Sequence, residues 1–314
     1  MKQAQMSQSA GLFRLPRLLR TVRPKISAKD VVHGLMVLPA LVFYIPLFVV
    51  PILLGLAVSF GDWSGVAGAL DMEWIGAENY VELAGDRKFW SSLGITLRYA
   101  AMVVPSQLLI GLLLAATINS GKGMLSAGVK VAILTPIAMS AVAIGILATF
   151  LFSPQIGIPA LISNEPVDLF AEPNGALLGV SIAHVWGGIG FTTFIFLAGL
   201  QAIPEELYEA AKIDGAGLMA RFRRVTIPLL RETTIVNLIL IFIGAFRSFG
   251  LIYTMTRGGP YRATEVLSFF MYKQAFVSFR MSYGSAIAVI LFLIIATITL
   301  FKIRLTRAGT TRYY

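Results

Sequence analysis

The sequence predicts an all-α protein that crosses a membrane several times, and three observations support this fold class. Of the 314 residues, 57% are hydrophobic and only 13% are charged, whereas a soluble domain has roughly 25% charged residues. Six stretches are apolar over the roughly 20 residues that a helix needs to cross a bilayer. None of the six contains Asp or Glu. We therefore expect a polytopic bundle of six transmembrane helices.

The six predicted spans follow one another along most of the chain. They are Val31–Phe60, Ile95–Ile118, Ala127–Phe152, Ala176–Ala202, Thr233–Met255 and Gly284–Phe301. The first is 30 residues long, which exceeds the roughly 7–15 apolar residues of a cleaved signal peptide, so we expect it to be retained. Prolines in the first three spans predict kinks, because neighbouring helices can satisfy the freed backbone groups.

The distribution of charge predicts which side of the membrane each segment faces. If the N-terminus is cytoplasmic, the inner segments hold 18 of the 26 basic residues and 6 of the 16 acidic ones. The opposite orientation would violate the positive-inside rule. We therefore predict a cytoplasmic tail over residues 1–30, a transmembrane domain over residues 31–301 and a second cytoplasmic tail over residues 302–314.

The net charge of +10 is thus explained by topology, and nucleic acid is not an expected partner. The basic segment Gly11–Lys25 places arginines three residues apart among leucines. This spacing fits an amphipathic helix that lies on the anionic lipids of the inner leaflet. It also fits a frayed tail that only sets the orientation of the first span.

The residue inventory argues against catalysis and metal binding. The chain has no cysteine and two histidines, His33 and His184, which excludes disulfides, thiolate metal sites and a histidine metal cluster. A membrane enzyme would need a nucleophile, a metal or paired acids, and none is visible. An ion-coupled secondary transporter is an alternative, although proton coupling normally uses carboxylates or a histidine relay within the spans. We expect a non-catalytic protein with no cofactor or metal of its own.

The one segment of soluble character is residues 203–230, between the fourth and fifth spans. A short helix is predicted to begin after Pro204, and Gly215 and Gly217 permit a break after it. A second short helix, Leu218–Val225, would end before the next proline. The small side chains of the first helix suit close docking of a partner surface. An ordinary amphipathic connection is the alternative.

Residues 209–217 read Glu-Ala-Ala-Lys-Ile-Asp-Gly-Ala-Gly, and Ile227-Pro228 follows. This pattern resembles the EAA loop in the permease subunits of bacterial ABC importers. The longer pattern that starts at Leu207-Tyr208 resembles the carbohydrate-uptake branch of that family. Two further segments resemble that branch in order and spacing: Trp74-Ile-Gly-Ala-Glu-Asn-Tyr80, and Thr256-Arg-Gly-Gly-Pro260 with Thr264.

The resemblance implies the type I permease fold and an assembly in the bacterial cytoplasmic membrane. A second, similar permease, two ATPase subunits and an extracytoplasmic solute-binding protein would be its partners. The chain has no Walker A motif, so ATP and Mg²⁺ would be bound by the partner ATPase. The resemblance also implies that a coupling helix docks on the ATPase through Glu209, Ala210, Ala211, Asp214, Gly215 and Gly217.

Transport of a sugar requires polar and aromatic side chains within the spans, because a sugar offers hydroxyls and flat apolar ring faces. His184, Gly188, Phe191 and Ser248 match sugar-contact positions of the maltose-type permeases. Arg247 is added because an unpaired arginine in a span should face a water-filled cavity, backbone carbonyls, a partner subunit or the substrate. Each residue also has a packing interpretation: His184 can join two helices, and glycine can permit close helix contact.

The resemblance implies ATP-driven import of a sugar, with a di- or oligosaccharide as the expected cargo. The sequence departs from the maltose permeases at Ile137, Ala141, Ile241 and Ala245, where those proteins have polar or aromatic contacts. Maltose itself is therefore not expected. A polyol or a glycerophosphate-type solute is the alternative cargo.

Overall fold

The computed structural model describes residues 28–66, 68, 72–120, 131, 133–162 and 168–307, with side chains from Met36 to Arg304 within these ranges. The segment Gly11–Lys25, for which the sequence suggests an amphipathic helix, lies outside the described residues. Secondary structure in the described ranges is almost entirely helical, which confirms the predicted all-α class.

The helices in chain order are α1 (Ala28–Tyr44), α2 (Val50–Val58), α3 (Glu78–Gly85), α4 (Arg87–Asn119), α5 (Ala141–Leu151), α6 (Ile158–Ile162), α7 (Pro173–Gln201), α8 (Glu205–Ile213), α9 (Leu218–Arg221), α10 (Ile227–Leu229), α11 (Arg231–Phe246), α12 (Phe249–Met255), α13 (Leu267–Tyr272) and α14 (Met281–Arg307). Turns of π-helix occupy Ile45–Val49, Phe222–Thr226 and Lys273–Val277, and a 3₁₀ turn occupies Thr135–Ala138. Two short strands, β1 (Gly61–Asp62) and β2 (Glu73–Trp74), pair antiparallel with Gly61 opposite Trp74.

The chain divides between Leu53 and Leu54 into two compact units. The first unit contains α1 and the start of α2, which are joined through the first π-helical turn. Pro46 lies in this turn, and its missing N–H removes one helical hydrogen bond. The stretch Met36–Val58 is long and apolar enough to cross a membrane, in agreement with the first predicted span.

Near its start, the second unit contains the strands β1 and β2, which the sequence did not predict. The side-chain amide of Asn79, in α3, donates to the carbonyl oxygens of Ser59 at 3.0 Å and Gly61 at 2.8 Å. The hydroxyl of Tyr80 lies 2.6 Å from Oγ of Ser59. These bonds fasten α3 to β1 and the residues before it, so the Asn-Tyr pair of the Trp74–Tyr80 segment has a structural role.

The core of the second unit forms where α4, α7 and α11 pack together. Large side chains from all three helices are fully buried there, among them Tyr99, Val103, Val180 and Phe246. The helix α4 starts at Arg87, eight residues before the apolar stretch predicted from the sequence. It begins there because the side chain of Asp86 caps its first turn by accepting a bond from the N–H of Lys88.

Two predicted spans are not continuous helices. In the third, the 3₁₀ turn at Thr135–Ala138 and the extended residue Ser140 precede α5, which has 11 residues. In the fifth, Arg247 and Ser248 separate α11 from α12. Within the described ranges, four helices are long and apolar enough to cross a membrane, or five if the bent run Leu218–Leu229 and Arg231–Phe246 counts as one span.

Candidate coupling segment and membrane pathway

The segment between α7 and α11 forms the short helix α8, and a glycine ends it. Gly215 has a φ of +77°, a conformation that disfavours every residue with a Cβ atom. The N–H of Ala216 donates to the carbonyl of Ala211 at 2.9 Å, and that of Gly215 donates to Lys212 at 3.1 Å. This pair of bonds is the Schellman motif. The chain therefore turns sharply after α8, as the sequence predicted.

The helix α8 is fixed to the residues that follow the turn. The hydroxyls of Tyr208 and Thr226 lie 3.0 Å apart. The second helical run is longer than the predicted Leu218–Val225, because a π-helical turn carries it through α9 and α10 to Leu229. Pro228 lies within this run and does not interrupt it. It occupies one of the first positions of α10, where a proline is tolerated.

The predicted coupling residues lie on an exposed surface. Five of them are exposed and Ala211 is half-buried; the exposed ones are Glu209, Ala210, Asp214, Gly215 and Gly217. Large apolar side chains next to them are also exposed: Ile213 is 86% and Leu218 is 80% exposed. Apolar side chains exposed on the one polar segment of a membrane protein are typical of a surface that a partner covers.

A polar network joins α4 and α7 to the break between α11 and α12. The hydroxyl of Tyr99, in α4, lies 2.7 Å from Nδ1 of His184, in α7, and 2.9 Å from Oγ of Ser248. Ser248 and His184 are 3.4 Å apart. Gly244, in α11, faces the other ring nitrogen, because a methyl group added there would lie 3.7 Å from Nε2. The structure thus brings together two of the predicted pathway residues and adds Tyr99, which the sequence interpretation had missed.

Ser248 occupies the break between α11 and α12. Its φ and ψ of −75° and 53°, together with a 2.7 Å bond from the N–H of Phe249 to the carbonyl of Arg247, define an inverse γ-turn. Arg247 is exposed, and its side chain has no hydrogen bond or ion pair with any residue in the described ranges. A cation in this position is open to a partner outside these residues.

Gly188 and Phe191 lie on the same face of α7 as His184, at spacings of four and three residues. A Cβ atom at Gly188 would collide with the side-chain amide of Gln107 in α4. That amide donates to the hydroxyl of Thr192 at 2.8 Å, so Gly188 permits close contact of α4 with α7. Phe191 is 45% exposed. The roles of these residues towards a solute stay predictions.

A groove of about 530 Å³ runs along the outside of α4 and α7. Met102, Pro105, Val185 and Trp186 are among its lining residues, so it is largely apolar. Ser106 and Ser181 also line it, and His184 does not. Among the described residues, no three His, Cys, Asp or Glu side chains are grouped so that they could hold a metal ion.

Together the fold and these two features define a class: a helical membrane protein with polar side chains between its spans and an exposed docking segment. Residues 107–307 match the model of the family described as binding-protein-dependent transport system inner membrane component. The chain belongs to this family, as the EAA-loop resemblance predicted.

Individual relatives cover nearly the whole chain. The trehalose/maltose transport system permease MalF of Thermococcus litoralis is 32% identical over 87% of this chain and 92% of its own length. The sulfoquinovosyl glycerol transport system permease SmoG of Agrobacterium fabrum is also 32% identical, over 87% and 89%. Among solved structures, a bacterial ABC transporter that imports the acidic polysaccharide alginate aligns with a TM-score of 0.74 at 21% identity, over 90% of this chain and 97% of that one. This likeness confirms the predicted ABC importer permease fold.

Proposed function

We propose that this chain is the permease subunit of an ATP-driven importer that carries a carbohydrate across the bacterial cytoplasmic membrane by alternating access. The observation that supports this most is the network of Tyr99, His184 and Ser248, which places hydroxyl and imidazole groups at a break in a transmembrane helix. Broken helices at the membrane interior are where transporters bind their solutes. The named permeases of trehalose/maltose and sulfoquinovosyl glycerol systems support a sugar as cargo, and a di- or oligosaccharide is the specific proposal.

Energy would reach the permease through the exposed segment that begins with α8. ATP and Mg²⁺ would bind to two separate ATPase subunits, and this chain would contribute no catalytic residue. Closure of the ATPase dimer would move the surface of Glu209, Asp214 and Gly215, and the bond between Tyr208 and Thr226 would transmit this motion to the run that leads into α11. A second permease subunit would complete the membrane pathway. With the coupling segment inside the cell, both termini are cytoplasmic.

One observation favours an anionic cargo of the glycerophosphate type or a sugar acid. Arg247 adjoins Ser248, is exposed, and finds no counter-ion among the described residues, and no predicted span contains a carboxylate. An uncompensated arginine within a membrane is expensive, and an anionic solute would offset that energy. The affinity of the cognate binding protein for a neutral disaccharide and for its uronate or sulfonate counterpart distinguishes the two cargo classes. Tighter binding of the anionic sugar would favour the anionic class.

The test of the proposed function is solute uptake into vesicles that contain the permease pair, the ATPase and the binding protein. We expect His184→Ala to reduce uptake at least tenfold. Trp90→Ala, at an exposed outer position, is the control and should not change uptake. ATP-independent uptake, or uptake driven by an ion gradient alone, would contradict the proposal.

A further inference from the structure

The loop that follows α12 has an unusual backbone. Arg257, Tyr261 and Arg262 have φ values of 50°, 47° and 66°, and Gly258 has a φ of 84°. Residues other than glycine rarely adopt this left-handed conformation, which is strained and persists only where the surrounding structure enforces it. Three such residues within six positions indicate that contacts with the surrounding structure hold the loop in this conformation.

Hydrogen bonds within the loop close it at its base. The hydroxyls of Thr256 and Thr264 lie 2.7 Å apart. The hydroxyl of Thr264 donates to the carbonyl of Gly259 at 2.7 Å. The N–H of Ala263 donates to the carbonyl of Pro260 at 2.8 Å. The resemblance motif of threonines, glycines and proline is thus the set of residues that shapes this loop.

A buried carboxylate holds the loop to the body of the protein. The side chain of Glu265 is only 2% exposed, and its two oxygens accept bonds from Arg262 at 2.6 Å and Lys273 at 2.9 Å. The adjoining helix α13 is tied to α4, because the N–H of Leu267 donates to the hydroxyl of Thr96 at 2.8 Å. Because the carboxylate pairs with one cation in the loop and one beyond α13, it fixes the C-terminal end of the loop to α13.

This framework presents one large side chain to the surroundings. Tyr261 is 94% exposed, and its hydroxyl makes no hydrogen bond within the described residues. Tyrosine is among the residues that contribute most to protein–protein binding, and a partner gains most from a side chain whose backbone is already ordered. A strained, cross-braced loop with a fully exposed tyrosine at its tip has the properties of a preformed docking element.

We infer that Tyr261 and the loop from Thr256 to Thr264 form a contact surface for the solute-binding protein. The inference rests on the proposed function and its orientation, which put this loop outside the cell and α8 inside. The family is binding-protein-dependent, so a protein must meet the permease on that outer face. Tyr261 is the most exposed aromatic side chain among the described residues of the segments predicted to lie outside.

The chain has no cysteine, which makes single-cysteine protection a clean test in the assembled transporter. We expect a saturating amount of solute-loaded binding protein to slow maleimide modification of Tyr261→Cys at least tenfold. Phe279→Cys is the matched control, because Phe279 is also an exposed aromatic on this side with a positive φ of 53°, and its modification rate should not change. Equal rates at position 261 with and without binding protein would overturn the inference, as would equal protection at both positions.

A second measurement applies to variants whose assembly with the ATPase is first verified. We expect Tyr261→Ala, and Glu265→Gln through loosening of the loop, to raise the binding-protein concentration for half-maximal uptake about tenfold. Phe279→Ala should leave it unchanged. Wild-type uptake that needs no binding protein would refute the proposed function. A wild-type requirement that Tyr261→Ala leaves unaltered would refute only this inference.

Discussion

Tyr99 was not among the predicted pathway residues, yet its hydroxyl contacts two of them, His184 and Ser248. In the sequence it lies in an apolar stretch and reads as one more packing aromatic. A buried tyrosine hydroxyl usually has a hydrogen-bond partner, and this preference is the one indication in the sequence that Tyr99 would contact another polar side chain. Only the packing of α4 against α7 and α11 shows that the partners are His184 and Ser248. The packing interpretation of His184 and its pathway role are both compatible with this geometry, because one ring nitrogen is bonded and the other faces Gly244.

We predict that Tyr99→Phe destabilises the permease by about 1–3 kcal/mol, because it removes the hydroxyl that bonds both His184 and Ser248. Uptake should also fall, since the two side chains lose their fixed positions. The measurements are thermal unfolding in detergent and the initial rate of uptake. Tyr253→Phe is the control: Tyr253 is 40% exposed and its hydroxyl makes no hydrogen bond with the described residues. Equal effects of the two substitutions would contradict the role given to Tyr99.

At the scale of elements, the sequence located the spans and the proline kink in the third, but not the break in the fifth. Pro136 was expected to kink the third span, and the structure has a 3₁₀ turn around it followed by an extended residue. The break at Arg247 and Ser248 has no proline or glycine at its centre, so periodicity and composition gave no warning. The γ-turn at this break places the hydroxyl of Ser248 2.9 Å from that of Tyr99.

The glycines of the coupling segment provide a matched pair of substitutions. A Cβ atom would meet nothing within 4 Å at either Gly215 or Gly217, but only Gly215 has a positive φ. We therefore expect Gly215→Ala to destabilise the turn after α8 by about 1–2 kcal/mol, and Gly217→Ala to be tolerated.

The measurement for this pair is ATPase activity stimulated by the loaded binding protein, together with the amount of ATPase that co-purifies. Gly215→Ala should lower both several-fold, because α8 no longer presents its surface at the correct angle. If Gly217→Ala proves the more damaging of the two, the backbone explanation is wrong and the contact itself determines docking.

At the scale of the molecule, the orientation in the membrane follows from charge and stays a prediction. Glu78, in α3, and Glu205, in α8, are both exposed and belong to opposite predicted sides. In intact cells, a membrane-impermeant maleimide should modify Glu78→Cys readily and Glu205→Cys only after permeabilisation. The reverse pattern would invert the topology and with it the assignment of the coupling segment.

The sequence by itself determined the all-α membrane class, the family and the turn at Gly215, because these depend on composition, on motif spacing and on local backbone preference. Tertiary structure alone decided the network of Tyr99, His184 and Ser248, the break in the fifth span and the bracing of Glu265. The network depends on hydrogen bonds between side chains that are 64 or more residues apart, and the helix beside Glu265 is tied to α4 by a bond between Leu267 and Thr96. Hydrogen bonds between distant helices leave no periodicity in the chain, so only the packed molecule reveals them.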